Sequence, residues 1–230
     1  MTARADYYSN SSAQLSPALA AKDPRWHAWR SNAQSFTPPG HSRPLLSVFT
    51  VETIPWMATY RNQAGLSWAG LTPPVYAGDT PVAGLGAAPA VNGSSAPACG
   101  WCATCTCLDG PTWAAWENAQ LAQLEDWLRT DTAPWRIVTG HVQVQDDNAG
   151  DTPELARIQA LLSKYNVPLY INGHDHTLQM TRRGPAGNTT TYVVNGAGGL
   201  NSGGVRLFAS TLFASNNLGF LAINVTTTRM

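Results

Sequence analysis

Apolar positions along the chain cluster into short runs, and these alternate with stretches whose apolar residues recur at helical spacing. The run Leu45-Leu46-Ser47-Val48-Phe49-Thr50-Val51 is β-branched and aromatic and predicts a buried strand. Trp113, Trp116, Leu121, Leu124, Trp127 and Leu128 predict an amphipathic helix over about 112–129, with the Trp-rich stripe packed as core. Trp135–Thr139 reads as the next strand. Asp151-Thr152-Pro153-Glu154 opens a helix that runs to about Lys164, with a capping side chain ahead of a first-turn proline. Val167–Ile171, Thr190–Asn195 and Phe220–Thr226 complete the predicted strands, while residues 1–40 read as loop plus a short helix. Strands alternating with helices imply an α/β layered fold.

Between about Gly65 and Gly110 the periodicity lapses into Gly, Pro, Ala, Ser and Thr with almost no charge. This 65–110 segment predicts a long surface insertion in what is otherwise a single domain over 1–230. It holds all four cysteines, Cys99, Cys102, Cys105 and Cys107. Local disulfides, free thiols and a soft-metal site all remain open for such a cluster, although the two separated ligand pairs of a zinc finger are absent.

Composition narrows the function classes. Fourteen basic residues balance fourteen acidic ones, which argues against nucleic-acid binding and against a polybasic membrane patch. Charged residues make up 12% of the chain and hydrophobic ones 43%, enough for a real core. No stretch approaches the ~18 continuous apolar residues of a membrane span, and the opening Met1–Asp6 lacks the apolar run of a signal peptide. Four Asn-x-Ser/Thr triplets, at Asn10, Asn92, Asn188 and Asn224, are glycosylation candidates. With the clustered cysteines they lean towards a secreted or vacuolar protein.

The chemistry concentrates in three of the five histidines. His141 follows Gly140 at the end of a predicted strand, and His174 and His176 follow Asn172-Gly173 at the end of another. Imidazole is a common ligand for zinc and iron, a preceding glycine lets the chain turn sharply out of the sheet, and open α/β sheets gather their sites at the carboxyl ends of strands. His27 and His41 lie in polar, Pro-flanked segments and read as solvated.

The run Val167-Pro168-Leu169-Tyr170-Ile171-Asn172-Gly173-His174-Asp175-His176-Thr177-Leu178-Gln179 resembles the last metal-binding motif of the calcineurin-like metallophosphoesterases, and more narrowly the small, tartrate-resistant purple acid phosphatases. Other segments agree in order. Ala13-Gln14-Leu15-Ser16-Pro17 with Asp23-Pro24-Arg25-Trp26, Phe49-Thr50-Val51-Glu52-Thr53, Trp135–His141, Gly150–Leu155 and Tyr192–Gly198 each resemble a family segment. The resemblance implies part of a metallophosphoesterase β-sandwich flanked by helices, in α-β-β-α layers, with the N-terminal part absent. It also implies a dinuclear site of Fe(III) with Fe(II), Zn(II) or Mn(II) that hydrolyses small phosphate monoesters. Carried over by position, His141 and His174 would bind the divalent ion and His176 the ferric one. Asp175 and Asn172 would stand behind the ligands.

The same resemblance exposes departures. The family's upstream ligands, an Asp, a bridging Asp and a Tyr, fall before Met1. Arg4 and Ala5 stand where its Asn ligand and catalytic His are expected. Glu52 replaces an Asp, Val142 replaces a second His, and the chain stops at Met230 short of the final strand. Half a site of this kind implies weak or partial metal binding and slow hydrolysis or none. Two readings follow: part of an acid phosphatase whose ligands lie in a longer form, or a truncated, non-catalytic paralogue that binds phosphate or protein.

Overall fold

The computed structural model describes residues 22, 31–53, 56, 110–146, 152–182, 190–201 and 204–230, with side chains in the helix from Gly110 described from Glu117 onward. The chain divides into two compact units, residues 1–30 with 57–120 and residues 31–56 with 121–230. The sheet and the candidate site lie wholly in the second. The cysteine cluster, His27, Asn10, Asn92 and Asn188 lie outside the described residues, whereas His41 and Asn224 are exposed.

Seven strands form one mixed sheet: β1 (Asn32–Phe36), β2 (Leu46–Thr50), β3 (Trp135–Thr139), β4 (Leu169–Asn172), β5 (Leu178–Thr181), β6 (Thr191–Asn195) and β7 (Thr211–Ser215). Their spatial order is β1-β2-β3-β4-β6-β5-β7. The four central strands β2, β3, β4 and β6 run parallel to one another, while β1 pairs antiparallel with β2, β5 with β6, and β7 with β5. Helices α1 (Gly110–Thr130) and α2 (Ala156–Lys164) follow, the second entered through a 3-10 turn at Pro153–Leu155. This is an α/β fold, as the pattern predicts. The described residues hold one sheet; a second sheet of the expected sandwich is not among them.

Register places Ser47, Phe49, Arg136, Val138, Tyr170 and Tyr192 on one face of the sheet. Helix α1 covers it through Leu124 and Leu128, each 1% exposed, and through Trp127, whose ring stacks 6.1 Å from that of Phe49. Arg136 donates from Nη1 to the Leu128 carbonyl at 3.3 Å and from Nη2 to the Tyr165 carbonyl at 2.6 Å, so one guanidinium closes the carboxyl ends of both helices. Ser47 Oγ donates to Asp131 Oδ1 at 2.6 Å just beyond α1. On the opposite face Ile137, Leu169 and Val193 form a core with Leu46, Val48, Ile171 and Met180, and Leu221, Ile223 and Met230 pack against it.

Three sequence expectations are corrected. Phe220–Thr226 is not a strand. Its period of two is real, with Leu221, Ile223 and Val225 less exposed than Phe220, Ala222 and Asn224, but the segment joins no ladder and covers the sheet as a strap. Alternation therefore reports a half-buried face and not hydrogen bonding. The start of the second helix has Pro at the first turn as expected, yet Thr152 makes no side-chain cap bond and is itself buried. Residues 32–36, read as loop, form β1, because antiparallel pairing to β2 orders a polar edge that shows no apolar pattern.

Candidate metal centre

The parallel strands β3 and β4 end side by side, and each releases its chain into a bend that carries histidine. His141 lies two residues beyond β3, and His174 two beyond β4. The Gly140 N–H donates to the Ile171 carbonyl at 3.0 Å and the Gly173 N–H to the His141 carbonyl at 3.2 Å, extending the β3–β4 ladder past the strands. The two imidazoles meet edge to face, with ring centroids 5.3 Å apart and an interplanar angle of 78°. Among the described residues, no group of three His, Cys, Asp or Glu side chains converges on a point that could hold a metal ion. The structure thus brings His141 to His174, and among the described residues no third His, Cys, Asp or Glu completes the local pair His174/His176.

The glycines ahead of these histidines act differently from the sequence expectation. The sharp turn is made by His174 itself, at φ 65°, and the only described glycine with positive φ is Gly40. A non-glycine residue there costs about 1 kcal/mol, so the surrounding contacts must hold it. Gly140 is required for space: a Cβ would lie 2.5 Å from Tyr170 Oη and 2.7 Å from Thr53 Cγ2. Gly196 is stricter, since its Cβ would stand 2.0 Å from the Asp175 carbonyl oxygen. The Gly196 N–H in turn donates to the Thr177 carbonyl at 3.1 Å. The Asn195-Gly196-Ala197 stretch is therefore the floor under the His174–His176 bend.

Asp175 points into a buried polar network. Thr177 Oγ1 donates to its Oδ2 at 3.2 Å, and Gln179 Nε2 reaches the same oxygen at 3.2 Å, Thr177 Oγ1 at 2.7 Å and Asp146 Oδ1 at 3.1 Å. Asp146, Gln179 and Thr177 are each at most 1% exposed. Asn172 donates from Nδ2 to the Gly173 carbonyl at 2.8 Å, and its buried Oδ1 has no hydrogen-bond partner. Burial holds His174 below the ordinary imidazole range, with a further push down from His176 opposed by Asp175. The ring is thereby kept in the neutral form that donates a lone pair to a cation. Two apposed imidazoles are ligand types that a divalent cation takes, but among the described residues they are a pair without a convergent third His, Cys, Asp or Glu.

Sequence reasoning missed Thr53, Tyr170, Asp146, Gln179 and Gly196 as supports. Only Gly196 left a local signal, in the Asn-Gly-Ala-Gly run. The others read as ordinary strand and loop residues until the sheet assembles.

Residues 91–178, which contain both His141 and the His174–His176 bend, match the family model for calcineurin-like phosphoesterases. This chain is also similar in sequence to purple acid phosphatases. It is 28% identical to purple acid phosphatase 3 of Arabidopsis thaliana over 182 residues, covering 76% of this chain and 36% of that protein. It is 29% identical to purple acid phosphatase 17 of the same plant over 177 residues, covering 76% of this chain and 39% of that protein. The chain thus spans under two-fifths of the length of these curated relatives. Its fold is similar to that of a solved structure titled as GAP50, the anchor in the inner membrane complex of Plasmodium. The TM-score is 0.56 at 17% identity, over 92% of this chain and 52% of that one. No helix among the described residues is long and apolar enough to cross a membrane.

Proposed function

We propose that this chain supplies part of a metal-dependent hydrolase for small phosphate monoesters, of the acid phosphatase type. The observation that carries it is the edge-to-face pair His141/His174 at the carboxyl ends of two adjacent parallel strands, within the stretch that matches the phosphoesterase family. His141 and His174 would hold the divalent ion. His176 would serve a second, ferric position whose remaining ligands come from outside the described residues. When bound, such ions supply Lewis-acid chemistry to the phosphoryl group. Asp175 and Asn172 hold the bend that presents the rings. Fe(III) with Fe(II), Zn(II) or Mn(II) is the pair the resemblance favours, and the sequons with the resemblance favour a secreted or vacuolar location.

A second reading, a non-catalytic phosphate- or protein-binding paralogue, is favoured by Val142. This residue is fully buried and its backbone is bonded at both ends, to Thr53 and Tyr170, where the resemblance calls for another histidine.

The test is hydrolysis of p-nitrophenyl phosphate by the purified chain after loading with Zn(II) or iron, beside the His174→Ala variant. Metal-dependent turnover lost in the variant supports the hydrolase. Turnover equal in both proteins ends it, and stoichiometric metal or phosphate binding without turnover selects the second reading.

A further inference from the structure

Thr53 lies three residues beyond β2, is fully buried, and has its hydroxyl at the bend that follows β3. Its Oγ1 accepts the His141 N–H and the Val142 N–H, each at 2.8 Å. The Tyr170 phenol stands beside the Gly140 position, and its Oη donates to the Val142 carbonyl at 2.8 Å. Burial first, and the neighbouring Tyr192 second, push the Tyr170 phenol far up, so it stays protonated and keeps that donor. A hydroxyl from the chain just beyond β2 and one from β4 thus hold the peptides at His141 and Val142. Gly140 leaves them the space, since a Cβ there would collide with both side chains.

Both ends of the His141 backbone are consequently bonded. Its N–H goes to Thr53, and its carbonyl accepts from Gly173, the residue just before His174. A valine at position 53 would fill about the same volume, but it would remove the acceptor that the His141 N–H and the buried Val142 N–H share. The hydroxyl is what the bend needs.

We propose that Thr53 is a positioning residue for the His141/His174 pair, its single oxygen fixing the His141 peptide so that the two imidazoles converge. The proposal rests on the metal-binding reading above for its consequence, though its geometric content is independent of that reading.

The experiment compares the full chain with Thr53→Val, Thr53→Ser and Tyr170→Phe. Two readouts are used: cross-relaxation between the His141 and His174 ring protons without metal, and Zn(II) affinity by calorimetry. Thr53→Val is expected to lose the ring–ring cross-peak and to weaken Zn(II) binding about tenfold or more. Thr53→Ser, which keeps the oxygen, should restore the cross-peak and stay within about threefold of the parent. Tyr170→Phe should fall between them. A Thr53→Val protein that keeps the cross-peak overturns the proposal, as does a Thr53→Ser protein no better than Thr53→Val. If Thr53→Val does not fold, hydrogen exchange in the parent chain decides. His141 and Val142 amides that exchange at the unstructured rate overturn the proposal, and protected amides with Thr53→Ser retaining the cross-peak uphold it. If the parent chain binds no Zn(II), the metal reading fails, and the cross-peak alone judges the positioning role.

Discussion

At the scale of single residues the site is held by contacts that tolerate little change. Gly196→Ala would drive a methyl group into the Asp175 carbonyl, a backbone atom that cannot swing aside. It should destabilise by about 1–3 kcal/mol, the usual range for overpacking. A urea midpoint unchanged from the parent would show that the bend relaxes freely. Gly140→Ala meets the ends of two side chains, and its effect should be read at the His141/His174 geometry as well as in stability. His174 gives a pH signature. Its pKa in the folded state lies below the model-peptide value of 6.5, so the unfolded chain binds more protons between the two values. Stability of the metal-free chain from this group is therefore whole above about pH 6.5 and falls as pH drops towards the folded-state pKa. Denaturation midpoints measured between about pH 7.5 and 5 should decline, and His174→Gln should flatten part of that decline. An equal slope in both proteins would remove His174 as the cause.

At the scale of elements, Arg136 ties the sheet to both helix ends. Replacing it with Met keeps much of the stem packing but leaves the Leu128 and Tyr165 carbonyls without their donor. The expected loss is about 1–3 kcal/mol, seen as a lower melting temperature. The contrast is the helix–helix pair Lys164–Glu125, at 2.5 Å but on solvated side chains, where Glu125→Gln should leave the melting temperature nearly unchanged. A larger shift from Glu125→Gln than from Arg136→Met would invert this ranking. The same scale explains which elements could be foreseen. The strands β2, β3, β4 and β6 carry dense apolar runs, because parallel strands covered on both faces need them. β1 and β7 are short edges with mixed faces, and β5 is polar on the Gln179/Thr181 side, so no period announces them.

At the scale of the whole molecule, the second face of the sheet is closed in part by a strap that is neither helix nor strand. Leu221, Ile223 and Met230 lie on the Ile137–Leu169–Val193 core, and Trp135 Nε1 donates to the Thr226 carbonyl at 2.7 Å to fasten the strap. Ile223→Ala should cost about 1–2 kcal/mol, less than a fully buried isoleucine, because the site is half-covered. Phe220→Ser, three residues before it and 83% exposed, should cost nothing measurable. Equal losses at the two positions would mean that the strap does not pack as described.

The sequence by itself determined the α/β class, the strands β2, β3, β4 and β6, helix α1 from its Leu and Trp spacing, and the position of the histidines at strand ends. All of these are local or periodic properties, set by which side chains can be buried over a few residues. Only the tertiary structure decided which histidines meet. His141 faces His174 because β3 and β4 are neighbours in register, a pairing between residues 33 positions apart that no window of sequence contains. It likewise decided that Thr53, Tyr170, Gln179 and Gly196 support the bends. Their roles lie in single oxygens, amides and missing methyl groups brought together from different strands, and neither hydrophobicity nor periodicity encodes them.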